Sequence, residues 1–220
     1  MMILAHAPRR HSQANSASPG LLLHDAAHYD ALVWLFTLGR EGTFRKRILQ
    51  LARLAPGEAV LDVGCGTGSL AIEAKRRVGA SGAVCAIDAS PEMLAGADRK
   101  ARKAGTEVLF SQAPAQALPF PDARFDVILS TLMLHHLPRK ARGPCIDEMA
   151  RVLKPGGRVL VVDFSKPRPG RKGLLDRFHR HGHVEMTDIV ALLEAAGLDI
   201  VASGPLGYRD LKFAIATTRG

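Results

Sequence analysis

From residue 59 onwards, short apolar runs alternate with stretches in which apolar residues recur every three or four positions. The short runs are typical of strands buried on both faces of a sheet, and the longer period is typical of helices. Strands that alternate with helices predict βαβ units and a parallel sheet. The predicted strands are 59–63, 83–87, 108–110, 125–130 and 158–164, and the predicted helices are 70–78, 91–103 and 145–153.

The two ends of the chain depart from this alternation. Residues 21–54 carry a helical pattern, which Gly39 and Gly42 are expected to divide into two helices. The chain closes with one helix and then two strands that have no helix between them, so these strands are expected to pair antiparallel. The three closing elements are 187–196, 199–203 and 212–217.

Length and composition predict one globular domain. The chain has 220 residues, of which 47% are hydrophobic and 23% charged, and these values exclude a disordered or collagen-like protein. The net charge of +9 favours anionic partners but equally suits a solvated basic surface. Aromatic residues make up only 5%, which disfavours a stacking platform for single-stranded nucleic acid.

Cysteine usage and hydropathy indicate a cytoplasmic protein. The three cysteines form no CxxC pair, so they predict neither a disulfide framework nor a zinc site, and their odd number suits a reducing compartment. No apolar run has the length of a membrane span, and the first residues do not read as a secretory signal. Peripheral membrane contact and a homodimer both remain open.

The most informative stretch is 60–68, VLDVGCGTG, a strand that runs into a glycine turn and then a helix. Glycines at alternate positions let the backbone turn sharply and approach a ligand, and the start of the helix favours a carboxylate or phosphate. The spacing G-x-G-x-G differs from the G-x-G-x-x-G of dinucleotide-binding folds and from the P-loop. An NAD-dependent oxidoreductase is therefore disfavoured.

Two acidic residues accompany this loop. Asp88 ends the second strand, where a carboxylate can accept hydrogen bonds from both hydroxyls of a ribose. Capping of the next helix is the alternative role, but Ser90 is placed to do that. Asp62 precedes Gly64 by two residues and can either hold a cationic amino group or order the loop.

Taken in order, these motifs resemble those of the class I S-adenosylmethionine-dependent methyltransferases. Within that family the chain is most similar to the small-molecule branch that includes the ubiquinone and menaquinone biosynthesis C-methyltransferases, which also share Tyr29-Asp30 and FRKR at 44–47. The matching motifs are VLDVGCGTG at 60–68, DASPEML at 88–94, ALPF at 117–120, FDVILS at 125–130, HHL at 135–137 and RVLKPGGR at 151–158.

The resemblance implies an α/β fold: a single Rossmann-like, seven-stranded, mostly parallel sheet with helices on both faces and an antiparallel last strand. The first residues, which lack Asp and Glu up to position 24, are expected to form a flexible tail over 1–20, with an organelle transit peptide as the alternative. The resemblance implies a methyltransferase domain over 21–220. Within the domain, 21–55 would form a helical cover and the basic segment 165–183 a loop over the substrate. The spacing of the three histidines in that segment does not suit zinc, and no metal is expected.

The cofactor implied is S-adenosyl-L-methionine, which leaves as S-adenosyl-L-homocysteine. The resemblance places the glycine loop at the methionine part of the cofactor, Asp62 at its amino group and Asp88 at its ribose. It places Ser130 beside the sulfur, and around the adenine it places Ala89, Met93, Gln112 and Ala113. Gln112 stands where the family has an acid, but its carbonyl oxygen can still accept from the adenine amino group. The implied residues are Asp62, Gly64, Cys65, Gly66, Gly68, Asp88, Ala89, Met93, Gln112, Ala113 and Ser130.

The acceptor expected from this resemblance is a small, apolar, quinol-like or lipid-like molecule. A general base is needed only if the acceptor must lose a proton, and the candidates are His135, His136 and Tyr29. An Asp-Pro-Pro-Tyr motif for amino groups of nucleobases is missing at 130–133. An RNA-modifying methyltransferase, which the net charge favours, and a non-catalytic cofactor-binding module of this fold are the alternatives.

Overall fold

The computed structural model describes residues 41–165, 184–208 and 210–218, and within these ranges it contains five α-helices and seven strands. The helices are α1 (Glu41–Ala52), α2 (Ser69–Val78), α3 (Pro91–Lys103), α4 (Arg139–Val152) and α5 (Met186–Ala195). The strands are β1 (Ala59–Val63), β2 (Ala83–Asp88), β3 (Leu109–Gln112), β4 (Phe125–Thr131), β5 (Leu153–Phe164), β6 (Asp199–Pro205) and β7 (Leu211–Thr217).

All seven strands belong to one sheet, in the order β3-β2-β1-β4-β5-β7-β6. The first five strands pair in parallel, whereas β7 runs antiparallel to both β5 and β6. The predicted fold class is therefore confirmed. The strand order reverses between β1 and β4, and in sheets of this kind ligands bind in the crevice that opens there, beyond the carboxyl ends of the strands.

Apolar side chains from both faces of the sheet pack against helices, which is why the strands are apolar on both sides. On one face, residues of α1 and α2, such as Ile48 and Ala74, cover Val60 and Leu129. On the other face, residues of α4 and α5 cover alternate strand residues such as Ile128. Burial on both faces fixes the sheet and, with it, the positions of the loops at its carboxyl edge.

Several predicted boundaries are wrong. Helix α4 begins at Arg139 rather than 145, although Pro144 lies inside it. Its buried residues Ala141, Cys145, Met149 and Val152 follow the helical period, and we infer that burying this face outweighs the hydrogen bond that proline cannot make.

Strand β5 begins at Leu153 rather than 158, because Leu153 pairs with Phe125 ahead of an irregular stretch of the β4–β5 ladder. Strand β3 covers Leu109–Gln112 rather than 108–110. The described part of the 21–54 helical pattern is α1, with Gly42 in its first turn, and the predicted division near Gly39 and Gly42 concerns residues outside the described ranges.

Parts of the predicted organisation lie outside the described residues. They include the tail over 1–20, the helical pattern over 21–40, and the basic segment from 166 to 183. Among the helices of the described ranges, none combines the length and the apolar character that a membrane span requires.

Candidate functional site

The glycine turn after β1 has a backbone shape that other residues would strain. Gly64 has a φ of +76°, and a Cβ there would lie 2.2 Å from Cγ of Met133. Gly68 has a φ of +73°, and a Cβ there would lie 2.7 Å from Cβ of Ala97 and 2.9 Å from the ring of Phe110. Packing within the protein therefore requires glycine at both positions, and glycine also lets a ligand approach the backbone there.

Asp88 joins the glycine turn to the start of α3. Its Oδ2 accepts a hydrogen bond from the backbone N–H of Gly66 at 2.8 Å, and its Oδ1 accepts one from the N–H of Ser90 at 2.9 Å. Ser90 is the N-cap, as predicted, because its Oγ accepts from the N–H of Met93 at 3.2 Å. A carboxylate has about four acceptor positions, so Asp88 can still accept from ribose hydroxyls.

Asp62 lies at the end of β1 and is almost fully buried, with 2% of its surface exposed. Within the described residues its Oδ2 has no hydrogen-bond partner. Burial, and then the negative charge of Asp88, raise the pKa of Asp62 to about 7. A buried carboxylate oxygen without a donor calls for an explanation, and a cationic ligand group is a direct one.

A cleft that is open to solvent lies beside Asp62 between α1, the glycine turn and the end of β4. Burial raises the pKa of the Cys65 thiol at its wall, so this residue stays a neutral thiol rather than a nucleophile. The lining residues are Glu41, Phe44, Arg45, Ile48, Asp62, Gly64, Cys65, Thr67, Ser69, Leu70, Thr131 and Leu132.

The predicted adenine residues lie at the ends of β2 and β3. Gln112 is in register with Asp88, and its Nε2 donates to the carbonyl oxygen of Ala89 at 3.1 Å. Since that carbonyl can only accept, the Oε1 of Gln112 is left to accept from a ligand. The N–H of Ala113 donates to the carbonyl of Asp88 at 3.2 Å, and the side chain of Met93 is buried.

The end of β4 carries further polar groups. Ser130 is buried, and within the described part of the chain neither its Oγ nor the Oγ1 of Thr131 has a hydrogen-bond partner. His135 follows in a 3₁₀ turn, Leu134–His136, where its Nδ1 lies 2.6 Å from Oδ1 of Asp163 and its N–H donates to Oδ2 of the same residue at 3.1 Å.

Of the three candidate bases, the two histidines lie within the described residues, and neither lines the cleft. The rings of His135 and His136 are 4.0 Å apart, centroid to centroid. Asp163, which is fully buried at the end of β5, fixes the orientation of the His135 ring. Tyr29 lies outside the described residues.

Sequence reasoning did not single out several residues of the cleft. Glu41 and Arg45 reach it from a helix that precedes β1. Arg45 belongs to the FRKR stretch at 44–47, which was noted above for its resemblance without being given a role at the site. Lys100 donates to Oγ1 of Thr67 at 2.7 Å and to Oγ of Ser69 at 3.1 Å, which ties α3 to the glycine turn. These contacts join residues that are far apart in the sequence, so they are visible only in the folded structure.

These features suit S-adenosylmethionine. Asp88 and Gln112 offer acceptors for a ribose and an adenine, and the buried Oδ2 of Asp62 offers one for an ammonium group. The open cleft lies next to Asp62 and the glycine turn, where the amino-acid part of such a molecule would extend.

Solved structures share this fold. A SAM-dependent methyltransferase from Aquifex aeolicus matches with a TM-score of 0.71 at 24% identity, over 88% of this chain and 98% of the other. The [4+2]-cyclase SpnF matches with a TM-score of 0.67 at 23% identity, over 81% of each chain. At these identities the likeness concerns the fold alone.

Sequence comparison identifies the family. A family model described as a methyltransferase domain matches residues 60–157. The demethylmenaquinone methyltransferase of Thermus thermophilus is 40% identical over 155 residues, which cover 70% of this chain and 69% of the relative. The ubiquinone/menaquinone biosynthesis C-methyltransferase UbiE of Azotobacter vinelandii is 41% identical over 144 residues, 64% of this chain and 56% of the relative. The chain therefore belongs to the S-adenosylmethionine-dependent methyltransferases.

Proposed function

We propose that this protein transfers the methyl group of S-adenosylmethionine to a small, apolar, quinol-like acceptor. The buried, unpartnered carboxylate oxygen of Asp62 beside an open cleft carries the cofactor part of the proposal. The quinol-like acceptor is supported by relatives named for menaquinone and ubiquinone biosynthesis. Those matches leave part of each relative's length uncovered, so the acceptor remains part of the proposal.

Each residue of the site would bind a different part of the cofactor. Asp88 would bind the ribose, Gln112 would accept from the adenine amino group through Oε1, and Asp62 would hold the ammonium group. Ser130 would lie beside the sulfur. When bound, S-adenosylmethionine supplies an electrophilic methyl group on a sulfonium, so the protein's main tasks are to align the acceptor and to exclude water.

A quinol carbon becomes a better nucleophile when the neighbouring hydroxyl loses its proton. His135 is the candidate base that the described residues support best, because Asp163 holds its Nδ1 and leaves Nε2 to take a proton. We therefore propose His135 as the general base, held in position by Asp163.

The function is tested with S-adenosylmethionine that carries an isotopically labelled methyl group. The purified protein is incubated in parallel with a prenylated 1,4-naphthoquinol under reducing conditions and with total RNA, and products are identified by mass. We expect labelled, C-methylated naphthoquinol. Label in RNA would favour the rival function suggested by the net charge of +9. Binding of S-adenosylhomocysteine without transfer to either acceptor would contradict the acceptor proposed here.

A further inference from the structure

Thr131 has a buried hydroxyl that is used neither for the proposed cofactor contacts nor by the proposed base. It is the last residue of β4 and lines the cleft, and its Oγ1 has no hydrogen-bond partner within the described residues. Asp62 is in register with Leu129, two residues before Thr131, so the side chains of Asp62 and Thr131 lie on the same face of the sheet. A buried hydroxyl without a partner is unusual, and a ligand in the cleft can supply the missing hydrogen bond.

The position of this hydroxyl is fixed by the sheet. Strand β4 is the middle strand of the seven. Thr131 pairs with Val162 of β5, and the N–H of the next residue, Leu132, donates to the carbonyl oxygen of Val162 at 2.8 Å. The hydroxyl therefore extends from a paired strand rather than from a free loop.

Leu132 has a left-handed backbone, with a φ of +55°. Among the other non-glycine residues of the described ranges, Arg53 and Ala123 have a φ in this region, and both are exposed residues of turns. Leu132, in contrast, is half-buried and lines the cleft. A bulky residue keeps this conformation only where its surroundings hold it, and such residues concentrate at functional sites.

The chain that follows holds Leu132 in this conformation. Met133 packs against the Cα of Gly64, where a Cβ would lie 2.2 Å from its Cγ. The N–H of His135 donates to Oδ2 of the buried Asp163 at 3.1 Å. The direction of the Leu132 side chain is therefore set by contacts on both sides of the turn.

Leu132 also provides apolar surface that a ligand can contact. The other aliphatic and aromatic residues that line the cleft, Phe44, Ile48 and Leu70, are 3%, 0% and 9% exposed and belong to the core. Leu132 is only partly buried, and it directly follows the hydroxyl of Thr131. This border of the cleft therefore suits an apolar ring that carries a hydroxyl, rather than the charged amino-acid end of the cofactor.

We propose that Thr131 and Leu132 form an acceptor subsite, in which Oγ1 of Thr131 forms a hydrogen bond with a quinol hydroxyl and Leu132 lies against the quinol ring. This inference rests on the proposed function and deepens it, because it names residues that recognise the acceptor. A 1,4-quinol has two hydroxyls, so one can contact Thr131 while the other loses its proton to His135. Thr131 and Leu132 then determine specificity for the acceptor and take no part in cofactor binding.

Thr131→Val tests the hydroxyl, because valine keeps the shape of threonine without its polar atom. We expect the KM for the prenylated naphthoquinol to rise about three- to tenfold, as loss of one hydrogen bond would cause, while the affinity for S-adenosylhomocysteine changes less than about twofold. The unfolding temperature of the unliganded protein should stay the same or rise, since a buried hydroxyl without a partner is removed. Thr217→Val, at a half-buried position of β7 that does not line the cleft, is the matched control and should keep the wild-type KM.

Leu132→Asn tests the apolar contact. Asparagine tolerates a left-handed backbone, so the turn is kept while the acceptor ring loses its apolar neighbour. We expect the KM for the naphthoquinol to rise about tenfold and the affinity for S-adenosylhomocysteine to stay within about twofold of the wild type. Ala123→Asn is the matched control, because Ala123 has a φ of +51° and does not line the cleft.

An unchanged KM in either variant removes that residue from the subsite. Equal losses in KM and in S-adenosylhomocysteine affinity would assign the residue to the cofactor instead. A Thr131→Val protein that unfolds at a lower temperature than the wild type would show that the hydroxyl is satisfied within the protein, and would overturn its role. If the wild type binds S-adenosylhomocysteine but methylates no naphthoquinol, the proposed acceptor fails together with this inference. The other negative results leave the proposed acceptor intact, so the two failures are distinguished.

Discussion

Two carboxylates lie at the ends of neighbouring strands, and their surroundings give them different tasks. Asp88 already accepts from backbone N–H groups, among them those of Gly66 and Ser90, and these hydrogen bonds offset part of the effect of burial, which raises its pKa. Asp62 has an oxygen with no such donor within the described residues, and its pKa is raised to about 7. Asp88 thus suits neutral hydroxyl groups, whereas Asp62 gains most from a cation.

Replacement of Asp88 by Ala should weaken S-adenosylhomocysteine binding by roughly 2–4 kcal/mol, because buried ribose hydroxyls lose their acceptor and Gly66 loses its anchor. Calorimetry with the ligand lacking its 2′-hydroxyl separates the two causes, since the part due to the ribose should shrink. Asp98→Asn, an exposed change on α3 where the carboxylate pairs with Arg102, is the control. Unchanged affinity in Asp88→Ala would rule out the ribose assignment.

His135→Gln tests the proposed base. If His135 removes a proton, kcat should fall about 100-fold or more and the acidic limb of the pH–rate profile should disappear, while S-adenosylhomocysteine affinity stays unchanged. The measurement is the pH dependence of naphthoquinol methylation, with thermal unfolding in parallel. A variant that loses only thermal stability and keeps the wild-type pH profile would show that the contact between His135 and Asp163 serves the fold alone.

At this scale, sequence reasoning found the residues that occupy fixed places relative to a strand end. The positions of Asp62 and Asp88 beside the glycine turn were predicted from their places at the strand ends, and the Ser90 cap was predicted from Ser-Pro-Glu. The ligand roles of the two acids stay predictions. Arg45 could not be assigned to the cleft in this way. It reaches the cleft from a helix before β1, so its position depends on how that helix packs across the sheet.

At the scale of elements, the turn between β1 and α2 is held from both sides by close packing. Gly64→Ala should destabilise the protein by roughly 2–5 kcal/mol, since a Cβ would strain the positive φ and meet Met133. Chemical denaturation measures this loss. In the double variant with Met133→Ala, the contact to Cγ at 2.2 Å is removed and the contact to Cβ at 2.8 Å stays, so part of the steric cost should be relieved and the backbone part should remain, beyond the cost of Met133→Ala alone. Additive losses would show that the two residues do not clash.

The predictability of each element followed the strength of its local signals. Helix α3 was predicted with its observed boundaries because Ser90 and Pro91 mark its start and basic residues mark its end. Helix α4 and strand β5 were misplaced because Pro and Gly residues lie inside them. Their extents are set by burial against α5 and by pairing with Phe125, which are contacts distant in sequence.

At the scale of the whole molecule, the sheet brings together groups that are far apart along the chain. Arg158 of β5 holds the carbonyl of Ala52 and the carboxylate of Glu58, so the end of α1 is attached to the centre of the sheet. The reversal of strand order between β1 and β4 opens the crevice next to this helix. The strand order and the attachment of α1 therefore create the cleft. Binding of the cofactor should in turn stabilise the whole domain.

The raised pKa of Asp62 makes this coupling depend on pH. In the unliganded protein Asp62 is protonated below pH about 7, whereas an ammonium group beside it would favour the ionised form. Binding of S-adenosylhomocysteine should then release a proton, so its affinity should rise with pH by up to about tenfold per unit and level off above pH about 7. Calorimetry between pH about 5.5 and about 8 measures both the affinity and the proton release.

Asp62→Asn is the control variant. We expect it to weaken ligand binding but to stabilise the unliganded protein at high pH. Because the pKa of Asp62 is raised above its unfolded value of 3.8, the native protein binds the extra proton between pH 3.8 and about 7, and unliganded stability falls as pH rises through this window. The Asn variant lacks this titration, so at pH about 8 it should unfold at a higher temperature than the wild type while binding S-adenosylhomocysteine more weakly and without pH dependence. A variant that is less stable than the wild type at that pH, or one that keeps the pH-dependent affinity, would place the titrating group elsewhere.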